Sequence, residues 1–136
     1  MSDADSFFDT SVLLYLLSDE PGKADRVEEL LQQSGTISVQ ILNEFTSVAT
    51  RKLGLSLPEV GEVLGTVRTI CNTQPLTVDT YDRGIEVAER YKFSLYDSMV
   101  VASALLSGCR ILYCEDLQHR QVIDEQLTVV NPFARA

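Results

Sequence analysis

Tryptophan is absent from the 136 residues, histidine occurs once and cysteine three times. A single histidine gives poor support to a His-based hydrolase or an imidazole-ligated zinc site. The cysteines, Cys71, Cys109 and Cys114, are odd in number and lack zinc-type spacing, so they read as buried apolar filler. No apolar run reaches the roughly 18 residues of a membrane span. The opening Met1-Ser2-Asp3-Ala4-Asp5 lacks the basic stretch of an export signal, so a cytoplasmic protein is expected. Basic residues are also scarce. Lys and Arg number 11 against 20 Asp and Glu, a formal net charge of −9. That balance opposes broad electrostatic binding of nucleic acid, where phosphate contacts dominate affinity. Any such surface would have to gather cations such as Arg51, Lys52, Arg68, Arg90 and Lys92 on one face.

The remaining composition, 45% hydrophobic and 23% charged, is globular. One domain is expected over residues 1–136, with residues 1–5 as a flexible tail. Short apolar runs alternate with longer amphipathic stretches, which predicts an α/β fold: three α/β/α layers around a mostly parallel sheet. Strands are expected near Phe7–Asp9, Thr36–Val39, Leu76–Val78, Arg110–Cys114 and Leu127–Val130. Helices are expected over Ser11–Leu17, Lys23–Gln33, Gln40–Leu53, Pro58–Cys71, Thr80–Tyr91 and Tyr96–Leu106. Turn residues such as Pro21-Gly22, Gly54 and Gly108 punctuate them.

Four carboxylates stand where apolar runs meet turns or helix starts. Asp9 closes Ser6-Phe7-Phe8, and Asp116 follows Ile111-Leu112-Tyr113-Cys114. Glu44 lies about 60° from Ile41 on its helix, at the border of the stripe Ile41, Phe45, Val48 and Ala49. Asp97 shares its helical face with Val100, Val101, Ala104 and Leu105. Each acid has an ordinary explanation: Ser94-x-x-Asp97 is a capping box, Asp116 caps a short helix, Glu44 is a solvated edge, and Asp9 opens a turn. Caps do not explain acids at the carboxyl edge of the first and fourth strands, where open α/β sheets bind ligands. Four acids in one cleft repel unless a hard cation, Mg²⁺ or Mn²⁺, neutralises them. Phosphodiester hydrolysis is the reaction that uses such a cluster. Thr10 and Ser11, at a helix start, are candidates for phosphate or metal-water contacts.

The same residues carry a family resemblance. Phe7-Phe8-Asp9-Thr10-Ser11-Val12-Leu13-Leu14-Tyr15 resembles the first motif of the PIN domain, and Ser38-Val39-Gln40-Ile41-Leu42-Asn43-Glu44-Phe45 its second. Tyr96-Asp97-Ser98-Met99-Val100-Val101-Ala102-Ser103-Ala104 is similar to the third, and Leu112-Tyr113-Cys114-Glu115-Asp116-Leu117-Gln118-His119 to the fourth. Val130-Asn131-Pro132-Phe133 resembles the tail of the bacterial VapC-type toxins. The resemblance implies a Mg²⁺- or Mn²⁺-dependent endoribonuclease, dimeric and inhibited by a cognate antitoxin. It assigns the acidic positions to Asp9, Glu44, Asp97 and Asp116, and the polar position after the first acid to Thr10 or Ser11. Asn131 matches a residue that supports the end of the first strand. Glu115 beside Asp116 leaves open which of the two faces the metal.

Two rival functions are weaker. A haloacid-dehalogenase-like phosphatase needs a second acid two residues after Asp9, where this chain has Ser11. A non-catalytic PIN-fold module that binds RNA or protein has no use for intact acids at all four positions.

Overall fold

The computed structural model describes residues 5–134 and sets the first strand at the middle of a six-stranded sheet. The strands are β1 (Ser6–Phe8), β2 (Gly35–Ser38), β3 (Cys71–Gln74), β4 (Ile111–Tyr113), β5 (Val122–Ile123) and β6 (Leu127–Val130). Their order is β3-β2-β1-β4-β6-β5, with every neighbouring pair parallel except β5 and β6. The helices are α1 (Thr10–Leu13), α2 (Lys23–Leu31), α3 (Val39–Arg51), α4 (Leu57–Ile70), α5 (Val78–Tyr91) and α6 (Leu95–Leu106). This is the three-layer α/β/α arrangement expected from the sequence. Of the tail expected over residues 1–5, residues 1–4 lie outside the described residues, while the Asp5 carbonyl accepts from Arg110 N at 2.8 Å.

From β1 the chain steps outward to β2 and β3, then returns past β1 to β4. Right-handed crossovers therefore put α1–α4 on one face and α5–α6 on the other. The packing agrees, since α3 contacts α1 and α4 whereas α5 lies along α6. The reversal makes β1 and β4 a topological switch point, where an open sheet leaves a crevice at its carboxyl ends. Phe8 pairs with Tyr113 in the ladder, and Asp9 N donates to Tyr113 O at 3.0 Å. The residues that follow both strands thus emerge side by side.

Strands sandwiched between helices are apolar on both faces. Phe7, Phe8, Ile37 and Leu112 are fully buried, as are Val12, Leu13, Ile41 and Phe45 of the covering helices. Gly35 is needed where β2 passes β1, because a Cβ there would sit 2.6 Å from the ring of buried Phe8. Ser56 and Glu59 close a capping box at the start of α4, with Pro58 in the first turn.

Three expectations are corrected. The third strand is Cys71–Gln74, not Leu76–Val78. Ile70 ends α4, and the chain becomes extended at once to pair with β2 in the register Gly35↔Cys71 through Ser38↔Gln74. Leu76 and Val78 are exposed, and Thr77 between them caps α5. The helix expected over Ser11–Leu17 is four residues of α-helix followed by a 3-10 segment, Leu14–Leu17. Strand β5, only two residues long, was not expected.

Candidate metal centre

Asp9 is the N-cap of α1, and its Oδ2 accepts from Ser11 N at 3.2 Å and from Ser11 Oγ at 2.6 Å. The Cys114 thiol points to the same oxygen at 3.5 Å. Among the described residues no donor reaches Oδ1. Asp9 is only 5% exposed, and burial pushes its carboxyl above the ordinary range. The Ser11 bonds oppose that rise, and the charges of Asp116 and Glu44 add to it.

Glu44, half-buried on α3, has both oxygens engaged. Thr10 Oγ1 donates to Oε1 at 2.8 Å, and Gln40 Nε2 donates to Oε2 at 3.1 Å. The Gln40 amide also donates to the Tyr96 carbonyl at 3.1 Å, tying α3 to the start of α6. At that start Ser94 Oγ accepts from Asp97 N at 3.2 Å. The reciprocal half of the expected capping box is missing among the described hydrogen bonds, which leaves the Asp97 carboxylate free of the cap. Asp116 lies on bends after β4, with no helix there for it to cap.

An oxygen of Asp9, an oxygen of Asp116 and the Cys114 sulfur all lie within 4.8 Å of one another. Burial raises the Asp116 carboxyl first, followed by the charges of Asp97, Glu115 and Glu44. Asp9 feels the charges of Asp116 and Glu44, while Asp116 feels those of Glu44 and Asp97, although the close cluster of ligand atoms takes in neither Glu44 nor Asp97. Among the described residues no lysine or arginine forms an ion pair with any of them. Burial, then the charge of Asp9, pushes the Cys114 thiol up to about 12, so it stays protonated and acts as a donor. The donor set offered is therefore carboxylate oxygen with uncompensated charge, which suits Mg²⁺ or Mn²⁺.

The supporting candidates have other partners. Thr10 and Ser11 direct their hydroxyls to Glu44 and Asp9. Asn131 Oδ1 accepts from Phe133 N at 2.9 Å, and its own N donates to His119 Nδ1 at 2.9 Å. Its side chain forms no bond to β1 among the described residues. Arg51, Lys52, Arg68, Arg90 and Lys92 are exposed, and Arg90 pairs with Asp124 at 3.2 Å. Sequence reasoning missed Gln40 and Tyr15. Gln40 sits one helical turn before Glu44, a spacing that places both on one face. Tyr15 gave no local signal, because its partner Glu115 is 100 residues away.

The chain belongs to the PIN domain family, whose model matches residues 6–124. Its fold is similar to that of Mycobacterium tuberculosis VapC20, described as a sarcin-ricin loop cleaving toxin. The two are 18% identical with a TM-score of 0.66, over 82% of this chain and 89% of that one. It is also similar to a chain in a toxin–antitoxin complex from Klebsiella pneumoniae, 21% identical with a TM-score of 0.70, over 94% of this chain and 98% of that one. No curated protein matches the sequence. No helix among the described residues is long and apolar enough to cross a membrane.

Proposed function

We propose that this protein is a Mg²⁺- or Mn²⁺-dependent endoribonuclease that acts as the toxin of a toxin–antitoxin pair. One observation carries the reading: Asp9 and Asp116 converge at the β1/β4 switch point, electrostatically joined to Glu44 and Asp97 with no cation beside them among the described residues. Membership of the PIN family supports nuclease chemistry. The sarcin-ricin loop cleaving toxin and the toxin–antitoxin complex that share the fold support the biological role.

Asp9, Glu44, Asp97 and Asp116 would hold the ion. When bound it supplies positive charge to the phosphate and makes water more acidic at neutral pH. Hydrolysis adds a water oxygen to phosphorus, breaks one P–O ester bond and leaves a proton on the departing oxygen. Ser11 fixes Asp9 so that Oδ1 is left for the cleft, and Thr10 and Gln40 hold Glu44 against rotation. The substrate is single-stranded or looped RNA, whose backbone can bend into a cleft at a sheet edge.

Two partners belong to this reading. A small antitoxin covers the acids with a basic side chain, an arginine, whose guanidinium suits paired carboxylates. A second copy of the chain packs on α5, α6 and the loop before α5, where Leu76, Tyr81, Leu95 and Tyr96 are exposed and border a depression of about 400 Å³ beside Glu44. The direct test is cleavage of RNA by the purified chain with Mg²⁺ or Mn²⁺, with EDTA, and with Asp9→Asn. Activity should require the ion and vanish with the substitution. Cleavage that survives both comes from another source, and an inert wild type supports a binding module.

A further inference from the structure

We infer that Tyr15 is a positioning residue for the acidic centre, which clamps Glu115 outside the cleft and thereby sets Ser11 against Asp9. The inference rests on the acids being a metal centre, as proposed above.

Tyr15 lies in the 3-10 segment that follows α1. Its hydroxyl donates to the Glu115 carboxylate, 2.8 Å from Oε1 and 3.0 Å from Oε2. A phenol has one proton, so its lone pair is left for Lys23, whose Nζ lies 3.4 Å from the same hydroxyl. The ring is fixed as well. Lys23 Nζ stands 4.6 Å from its centroid, and Phe133 meets it edge-on at 4.7 Å. The Glu115 side chain is thus pulled towards the 3-10 segment, while its backbone N donates to Ser11 Oγ at 3.1 Å.

That bond takes a lone pair of Ser11 and so orients the hydroxyl, whose one proton goes to Asp9 Oδ2, 2.6 Å away. Two hydrogen-bonded chains meet at Glu115: Lys23 through Tyr15 to its carboxylate, and its backbone amide through Ser11 to Asp9. The second ends on an aspartate with Oδ2 saturated and Oδ1 left over. Asp116 is the next residue after Glu115, so the same clamp sets where the second acid leaves β4. Glu115 is held on Tyr15 while an Asp116 oxygen lies within 4.8 Å of one of Asp9, which makes Asp116, not Glu115, the acid of that pair that belongs to the cleft.

Partners that orient ligands in this way govern metal affinity by roughly 10–100-fold. The test is Mn²⁺ titration of the whole chain, without RNA, by calorimetry, together with melting temperature. Tyr15→Phe keeps the ring packing and loses the clamp, and should weaken Mn²⁺ binding about tenfold or more with little change in melting. Glu115→Ala should weaken it similarly, whereas Glu115→Gln, which keeps an oxygen for Tyr15, should recover most of the affinity. Tyr15→Phe combined with Ser11→Ala should cost less than the two losses added, since both act on Asp9 through the placement of Glu115. In RNA cleavage Tyr15→Phe should lower kcat and leave KM near its wild-type value. Wild-type Mn²⁺ affinity in Tyr15→Phe, or a Glu115→Gln loss as large as that of Asp116→Asn, overturns the inference. A wild type that binds Mn²⁺ but cleaves no RNA removes the nuclease reading and leaves the clamp standing. A wild type that binds no Mn²⁺ removes both.

Discussion

Gln40 and Glu44, one turn apart on α3, are joined by a 3.1 Å hydrogen bond whose donor amide also binds the carbonyl of Tyr96, the residue before Asp97. A single neutral side chain therefore fixes the spacing between two of the four acids. Gln40 is 8% exposed, and both of its bonds are partly sheltered from water.

Gln40→Ala should accordingly loosen α6 against α3. Losing a partly sheltered bond to a charged group, with a carbonyl left unpaired, costs about 1–3 kcal/mol. Urea denaturation should register that loss, and RNA cleavage should fall in kcat more than in KM. Unchanged stability and turnover would mean that water replaces the amide without penalty.

Protonation should couple to folding through Asp9. Its carboxyl is raised in the folded protein by burial and, to a lesser extent, by Asp116 and Glu44. The folded state therefore binds more protons than the unfolded chain once the pH exceeds the unfolded value of about 4. Stability is fully present below that value and declines as pH rises through the folded pKa. Asp124 behaves oppositely. Burial raises its carboxyl, but Arg83, Tyr91 and Arg90 outweigh that and hold it low, so its contribution is lost only in acid. In EDTA the melting temperature should be lower at pH 8 than at pH 5, Mg²⁺ should restore it, and Asp9→Asn should flatten the trend. Equal melting at both pH values, with no response to Mg²⁺, contradicts this linkage.

The proposed antitoxin should act by supplying the charge that the acids lack. An arginine placed between Glu44 and Asp97 would replace metal, so added Mg²⁺ should compete with the partner. The co-expressed complex should cleave RNA more slowly than the free chain, and replacing that arginine with alanine should relieve the inhibition. Salt should weaken binding only modestly, because a buried anchor is less screened than a rim contact. A complex that cleaves as fast as the free chain excludes inhibition at the cleft.

Asp9 and Asp116 were legible in the sequence because each follows an apolar strand, and strand ends at a switch point define a crevice. Helical periodicity singled out Glu44 and Asp97 as candidates, and the close cluster of ligand atoms holds neither. The third strand was not, since Cys71-Asn72-Thr73-Gln74 lies at the sheet edge and only Cys71 is buried. Its pairing with β2, rather than any apolar alternation, makes it a strand. Leu76 and Val78 imitate a strand locally but flank a helix cap. The hydroxyls of Thr10 and Ser11 were noticed but aimed elsewhere, because their partners depend on where β4 and α3 are brought in space. Tyr15 and its clamp on Glu115 arise from tertiary packing alone.

The most direct test of the central claim, that Asp9, Glu44, Asp97 and Asp116 hold a divalent ion, is anomalous diffraction from crystals grown with Mn²⁺. A peak should lie between Asp9 Oδ1 and the Asp116 carboxylate, within direct coordination distance of both, and should disappear in Asp9→Asn. A peak at another place, or none in the wild type at saturating Mn²⁺, would contradict it.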